Sequence, residues 1–480
     1  MLKQLSELEL ESRKLELSPA QKKEADSVVF GFADEFIKTI PNQKLYEKEG
    51  YDPENFDAKI TLEEQGEDIA SIMQSIDEQS IKPGLNPTSG AYLAYIPGGG
   101  LYASALGDYL AAVTNRFAGL FFASPGSVRI ENTLVRWTGK VLGYTGSFGG
   151  YLSSGGSIAN LTAMSTARWA KKIKGKDYEK TVIYLSEQSH HSVEKAIRLS
   201  GLNECILRYL PLDNAYRIIP SAFEKMVEED IANGLSPFLT VANAGSTNVG
   251  AVDPMDAMAD ICEKYSLWFH VDAAYGGYFA LTDYGKKLFK GIHRADSITI
   301  DPHKGLFLPY GTGIALVKDV KALREANQYQ APYLQDTDGF DMEYSPSEVS
   351  PELSKHYRGL RMYMALKLHG ISVFRSALDE KLLLSRYFHQ KVEALGFEVG
   401  PEPELSVCIY RYHPKNGKEV DAFNKELTLA VQHEGKVYVS STSLSGAYWL
   451  RCAALSFRTH KEHIDLLLSQ LEKQVKLLDK

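Results

Sequence analysis

The stretch Leu267–Gly277, LWFHVDAAYGG, decides how this chain is read. Its first five residues, Leu267 to Val271, have the length and β-forming composition of a buried strand, and the run ends on Asp272. A carboxylate that closes an apolar strand is costly to desolvate unless a cation or hydrogen-bond donors meet it, so a partner must be supplied there. The small residues that follow, Ala273, Ala274, Gly276 and Gly277, leave room for a flat ligand, which a purely structural aspartate would not require.

Working outward, the same design recurs. Thr181–Leu185 (TVIYL), Phe238–Ala242 (FLTVA), Ser297–Ile300 (SITI) and Gly313–Val317 (GIALV) are short β-rich runs, each followed by polar or glycine-bearing sequence and separated by helical stretches. That alternation predicts an α/β fold with a largely parallel sheet. Residues 1–85 carry helical apolar spacing, as in Val28, Val29, Phe32, Phe36 and Ile37, and residues 376–480 form a smaller mixed α+β segment. The expected units are therefore 1–85, 86–375 and 376–480.

In open α/β sheets, ligands bind beyond the carboxyl ends of the strands, so those ends are the place to look for chemistry. After Tyr151 and Leu152 comes Ser153-Ser154-Gly155-Gly156-Ser157, leading into a helical pattern from Ile158 to Ala170. Glycines let backbone approach an anion, and amide donors at a helix start favour one, so the segment reads as a phosphate seat or as a plain turn. Thr181–Leu185 ends at SEQSHHS, where His190 is placed to stack on a ring or move a proton, or else to cap a helix in solvent. Ser297–Ile300 ends at Asp301-Pro302-His303-Lys304-Gly305, and a lysine at a strand end offers an amine that forms an imine with a carbonyl, unless it merely snorkels from the sheet edge. Taken together, a phosphate seat, a stacking histidine, a ring-nitrogen aspartate and an imine lysine match the phosphate, flat ring, pyridinium and aldehyde of pyridoxal 5′-phosphate (PLP).

Composition narrows the alternatives. The 480 residues are 44% apolar and 24% charged, enough for a large core, and the net charge of −8 arises from mixed signs with no basic run to track a phosphate backbone, so no nucleic-acid partner is expected. No span of about 18 uncharged apolar residues occurs, so no membrane association is expected. Met1–Leu17 mixes charges with leucines, unlike a secretory signal, and reads as an amphipathic helix. Four scattered cysteines, Cys205, Cys262, Cys408 and Cys452, suit a reduced, cytoplasmic setting, and neither HExxH nor comparable ligand spacing suggests a metal.

The segments SSGGSIANL, SEQSHHSV, HVDAAYGG and DPHKG resemble those of the PLP-dependent group II amino acid decarboxylases, most nearly the aromatic-L-amino-acid decarboxylase branch. The resemblance runs through almost the whole chain. It implies PLP fold type I: a large domain with a mostly parallel seven-stranded sheet, a small C-terminal α+β domain and a helical N-terminal segment. It implies catalytic roles for Lys304 (Schiff base), Asp272 (ring nitrogen), His190 (ring stacking) and Tyr333 (proton donor in the Pro332-Tyr333-Leu334 loop). Gly156, Ser157 and His303 would address the phosphate with Asp301 nearby, while Thr247 and Ala274 would line the ring pocket.

The implied reaction is decarboxylation of an L-amino acid, through an external aldimine and a quinonoid, to an amine and CO2. Tyr95, Pro97, Gly98 and Phe117 match the family's side-chain pocket, which favours an aromatic substrate. Three departures stand out: Gly98, with the region near Gly119, looks more open than in the aromatic branch; Gly305 stands where tryptophan is usual; and Asp301 replaces a frequent asparagine, adding negative charge unless His303 is protonated. No arginine cluster marks these segments for an acidic substrate, although Arg116 and Arg358 leave that choice open. The resemblance also implies a homodimer. Aldehyde synthesis on the same scaffold and an inactive binding homologue are the rival readings, and Tyr333, where aldehyde synthases carry phenylalanine, favours simple decarboxylation.

Overall fold

The computed structural model describes residues 1–47, 61–328 and 343–480. Seven strands form the main sheet: β1 (Gly149–Ser153), β2 (Thr181–Leu185), β3 (Ile206–Tyr209), β4 (Ser236–Asn243), β5 (Trp268–Asp272), β6 (Ser297–Ile300) and β7 (Gly313–Val317). Their spatial order is β1-β7-β6-β5-β4-β2-β3. Pairing is parallel from β3 through β6, and β7 alone runs against its neighbours β1 and β6. This is the mostly parallel seven-stranded sheet expected. The strand that sequence did not single out, β3, lies at the edge and is only partly covered, so it lacks the continuous apolar run of a central strand.

The two faces of the sheet feed two cores, as the two-residue period of a strand requires. On β2, Val182 and Tyr184 join one core with Leu134, Phe223 and Met258, while Ile183 and Leu185 join the other with Met164, Val193 and Leu323. Helices thus cover both faces, which explains why the β runs read as apolar throughout.

A second sheet of five strands contains Glu398–Val399, Val407–Arg411, Ala447–Ala453, Tyr438–Leu444 and, at its edge, Tyr92–Leu93. Tyr92–Leu93 pairs parallel with Tyr438–Val439, although it precedes the main sheet in the chain. Helices Val420–His433 and Lys461–Leu478 pack on this sheet through Phe423, Leu427, Ile464 and Leu467. The expected partition is bridged at a second place: helix Ile371–Ala394 passes straight through residue 375, burying Phe374, Leu378 and Leu382 in the main core and Leu384, Phe388 and Val392 in the smaller one.

The N-terminal segment is helical as expected, with Leu2–Ser12 followed by Pro19–Thr39. Ser18 starts the second helix with a capping box: its hydroxyl accepts from Gln21 N at 3.3 Å, and Gln21 Oε1 accepts from Ser18 N at 3.0 Å. Neither helix buries a residue, and Leu5, Leu8, Val29, Phe30 and Ile37 remain exposed. Among the described residues no helix is long and apolar enough to cross a membrane.

Candidate active site

A cavity of about 250 Å³ opens beyond the carboxyl ends of β1, β2, β4, β5 and β6. Gly156, Ser157, His190, Thr247, Asp272, Ala274, Asp301, His303 and Lys304 all line it, so residues spread over 149 positions of sequence meet at one place. The switch from strand to helix or turn at each strand end delivers them.

Lys304 sits on the single-turn helix Pro302–Gly305 that follows β6. Its Nζ lies 3.0 Å from Asp301 Oδ2. Asp301 is 1% exposed, and its Oδ1 is a buried acceptor without a hydrogen-bond partner among the described residues. His303 donates from Nδ1 to the Thr312 carbonyl at 2.7 Å, and burial lowers its pKa against the opposing pull of Asp301. The imidazole is thus neutral, and the added charge of Asp301 is met by Lys304 instead of a protonated His303.

Asp272 ends β5, as the sequence required, and its partners are donors. Oδ1 accepts from Ala274 N at 3.1 Å and Oδ2 from Asn160 Nδ2 at 3.1 Å. His190 caps helix His191–Leu199: its Nδ1 accepts from Ser192 N at 3.2 Å and lies 2.7 Å from Ser192 Oγ. Burial lowers the His190 pKa, with Asp272 acting in the opposite sense, so this ring too is neutral.

The expected anion seat is the start of helix Gly156–Ala170. Gly155 has φ +152°, and a Cβ on Gly156 would stand 2.9 Å from Asp301 Oδ2 and 3.3 Å from Ala274 Cβ, so only glycine leaves this wall free. Ser154 and Ser157 add hydroxyls at the positive end of the helix.

Tyr95, Pro97, Gly98 and Phe117 are not among the lining residues of this cavity. Tyr95 is half-exposed with φ +53°, tied by its backbone to Ser440 Oγ and Arg451, and Phe117 is 38% exposed. The openness expected at Gly98 and Gly119 is not there. A Cβ on Gly98 would meet His303 O at 3.2 Å and Tyr310 Cε1 at 3.3 Å, and one on Gly119 would meet Leu353 O at 2.1 Å, because neighbouring backbone and the Tyr310 ring fill the space. Gly305 is likewise hemmed in by Tyr278 Cβ, which a Cβ would meet at 2.8 Å. Tyr333 lies outside the described residues.

Sequence reasoning missed Asn160, Ser192, Asn243, Gly245 and Tyr275. Asn243 is the last residue of β4 and was reachable by the strand-end rule; it is held by buried Asp253, which accepts from its backbone N at 2.7 Å and its Nδ2 at 3.0 Å. Asn160 carried no such signal, since it lies inside a helix, where a polar residue ordinarily faces solvent.

An amine, a carboxylate with free acceptor capacity, neutral histidines and a glycine-lined helix start around one cavity fit a flat, phosphorylated ring that bears a carbonyl. Residues 53–413 match the family model described as "Pyridoxal-dependent decarboxylase conserved domain". The chain is 32% identical over 417 residues to an aromatic-L-amino-acid decarboxylase of Bacillus atrophaeus, covering 86% of each chain. It is 28% identical over 392 residues to a phenylacetaldehyde synthase of Arabidopsis thaliana, covering 78% of this chain and 80% of that one. In structure it is similar to Oryza sativa TDC, solved with PLP and tryptamine, with a TM-score of 0.91 at 21% identity over 97% of this chain and 99% of that one.

Proposed function

This chain belongs to the pyridoxal-dependent decarboxylase family, and on that premise we propose that it converts an L-amino acid with an aromatic side chain into the amine and CO2. It is a PLP-dependent amino acid decarboxylase, a carboxy-lyase of fold type I. The observation that supports an aromatic substrate is the charge of the cavity. Among the described residues its lining contains no arginine, and the one lysine there, Lys304, is the amine that PLP requires. A desolvated acidic side chain would need a further cation. Arg358 is already engaged by Glu352 at 3.0 Å and does not line the cavity, while Arg116 is exposed. The aromatic relative at 32% identity points the same way.

When bound, PLP supplies an electron sink for the bond to the departing carboxylate. The chain supplies the rest. Lys304 would hold the coenzyme through its amine. Gly156, Ser157 and His303 would take the phosphate, with Asp301 beside them, while Thr247 and Ala274 would line the ring. His190 would cover the ring face, and Asp272 would hold a proton at the ring nitrogen. Tyr95, Pro97, Gly98 and Phe117 bound the outer side-chain space, and Tyr333 returns a proton to the carbon that lost its carboxylate. The protein works as a homodimer through its exposed N-terminal helices, in a cytoplasmic setting suited to four unpaired cysteines.

The test is a panel of the twenty amino acids and hydroxylated aromatic ones, scored for CO2, amine and oxygen uptake by the PLP-loaded protein. Aromatic substrates giving equal amine and CO2 without oxygen uptake are the expected result. Turnover of acidic substrates alone would overturn the substrate assignment. Aldehyde with oxygen consumption would instead favour the synthase chemistry of the 28% relative; Tyr333→Phe is expected to shift the product in that direction.

A further inference from the structure

Trp268, His270 and Asp272 alternate along β5 and therefore share one face of the sheet, and the register sets Ser297 of β6 beside His270. A continuous chain of hydrogen bonds links them. Trp268 Nε1 donates to Ser297 Oγ at 2.9 Å, Ser297 Oγ lies 2.8 Å from His270 Nδ1, His270 Nε2 lies 3.0 Å from Asn160 Oδ1, and Asn160 Nδ2 donates to Asp272 Oδ2 at 3.1 Å.

The direction of this chain is forced. The Asp272 carboxylate only accepts, so the Asn160 atom beside it is the NH2 group and Asn160 Oδ1 is left to accept from His270 Nε2. With its hydrogen on Nε2, the neutral imidazole accepts at Nδ1 from the Ser297 hydroxyl, which itself accepts from the Trp268 indole N–H. Both hydrogens of the Asn160 amide are left for Asp272 Oδ2 and for Ser192 Oγ, 3.1 Å away. Ser192 in turn can give its hydroxyl hydrogen to His190 Nδ1, the same nitrogen that accepts its backbone N–H, which places the His190 hydrogen on Nε2. His270 is fully buried, and burial pushes its pKa down to about 4, so the ring does not acquire the second N–H that would oppose Ser297.

We propose that this one-way relay fixes Asp272 as a hydrogen-bond acceptor in a single orientation toward the cavity, making Trp268, Ser297, His270 and Asn160 positioning residues for the coenzyme. The inference rests on the reading of Asp272 as the partner of the ring nitrogen. With one N–H on each oxygen, the carboxylate cannot turn without breaking a buried bond, and its remaining lone pairs are left for the ring.

The experiment is equilibrium binding of PLP to the full-length apoprotein, followed by absorbance, in five variants. His270→Leu preserves bulk and removes polarity, whereas His270→Gln keeps an N–H donor where Nε2 stood. His270→Leu and Asn160→Asp are expected to weaken PLP by about tenfold or more, as loss of an outer-shell partner does at metal sites. Trp268→Phe is expected to weaken it less, and His270→Gln is expected to restore most of the affinity. Equal losses in His270→Leu and His270→Gln would reduce the role to packing and overturn the relay, and wild-type binding in His270→Leu would do the same. The His270 pair decides the matter even where Asn160→Asp does not fold. Asp272→Ala separates the two levels: unchanged binding there overturns the ring-nitrogen assignment, while a loss there with unaffected His270 variants overturns the relay alone.

Discussion

Lys304, Asp272 and His190 reach one cavity from three strand ends: Asp272 closes β5, Lys304 sits on the helical turn that follows β6, and His190 caps the helix that follows β2. Asn160 joins them from inside helix Gly156–Ala170, with partners on β5 and on the helix after β2 that no local pattern announces. Two predictions belong to single residues. Borohydride reduction of the PLP-loaded protein should fix the coenzyme to Lys304, and Lys304→Ala should abolish both this adduct and the long-wavelength absorbance, with peptide mass spectrometry as the check. His270 should leave a signature in stability. Its folded pKa of about 4 lies below the 6.5 of an ordinary solvated histidine, so between those values the unfolded chain binds a proton that the folded chain does not. Stability therefore rises with pH across that window and falls as the pH drops from 6.5 toward 4, by about 3 kcal/mol in total. Denaturant unfolding of His270→Gln should show a correspondingly shallower slope between pH 4 and 6.5; an unchanged slope would remove His270 as the cause.

At the scale of elements, the sequence displayed the central strands and the helix after β1, but not edge strand β3, and it could not show that β7 runs backward. That reversal has a function. Gly313 at the start of β7 lies against the glycine turn: a Cβ there would stand 2.6 Å from Gly155 C and 2.7 Å from Ser153 Oγ. Backbone cannot give way as a side-chain tip can, so Gly313→Ala should push the Ser153–Gly156 turn out of place. The expected result is PLP affinity reduced by about tenfold although no lining residue has changed, by analogy with the loss of an outer-shell partner. Binding as tight as wild type would mean that the turn absorbs the displacement.

For the molecule as a whole, the division into successive units was the least legible feature, because contacts between distant segments decide it. Helix Ile371–Ala394 carries one apolar stripe that serves two cores, and a window on sequence sees only one helix. Truncation of Phe388, which is fully buried in the smaller core, should cost about 3–5 kcal/mol. Because the helix is shared, fluorescence and far-ultraviolet probes should shift together; two separated transitions would show that the cores unfold independently. The exposed Leu5, Leu8, Val29, Phe30 and Ile37 of the first two helices give a further expectation: sedimentation should report twice the 53.4 kDa chain mass, and deletion of residues 1–39 should return a single-chain mass. The placement of Tyr92–Leu93 in the second sheet has a consequence for biosynthesis. Its partner strand, and the serine that bonds Tyr95 N across a sequence separation of 345 residues, are synthesised only after all seven strands of the main sheet. The nascent chain must hold this segment unpaired until then, so an edge made before the main sheet locks only after it, and a stalled chain would expose that edge to unwanted strand exchange.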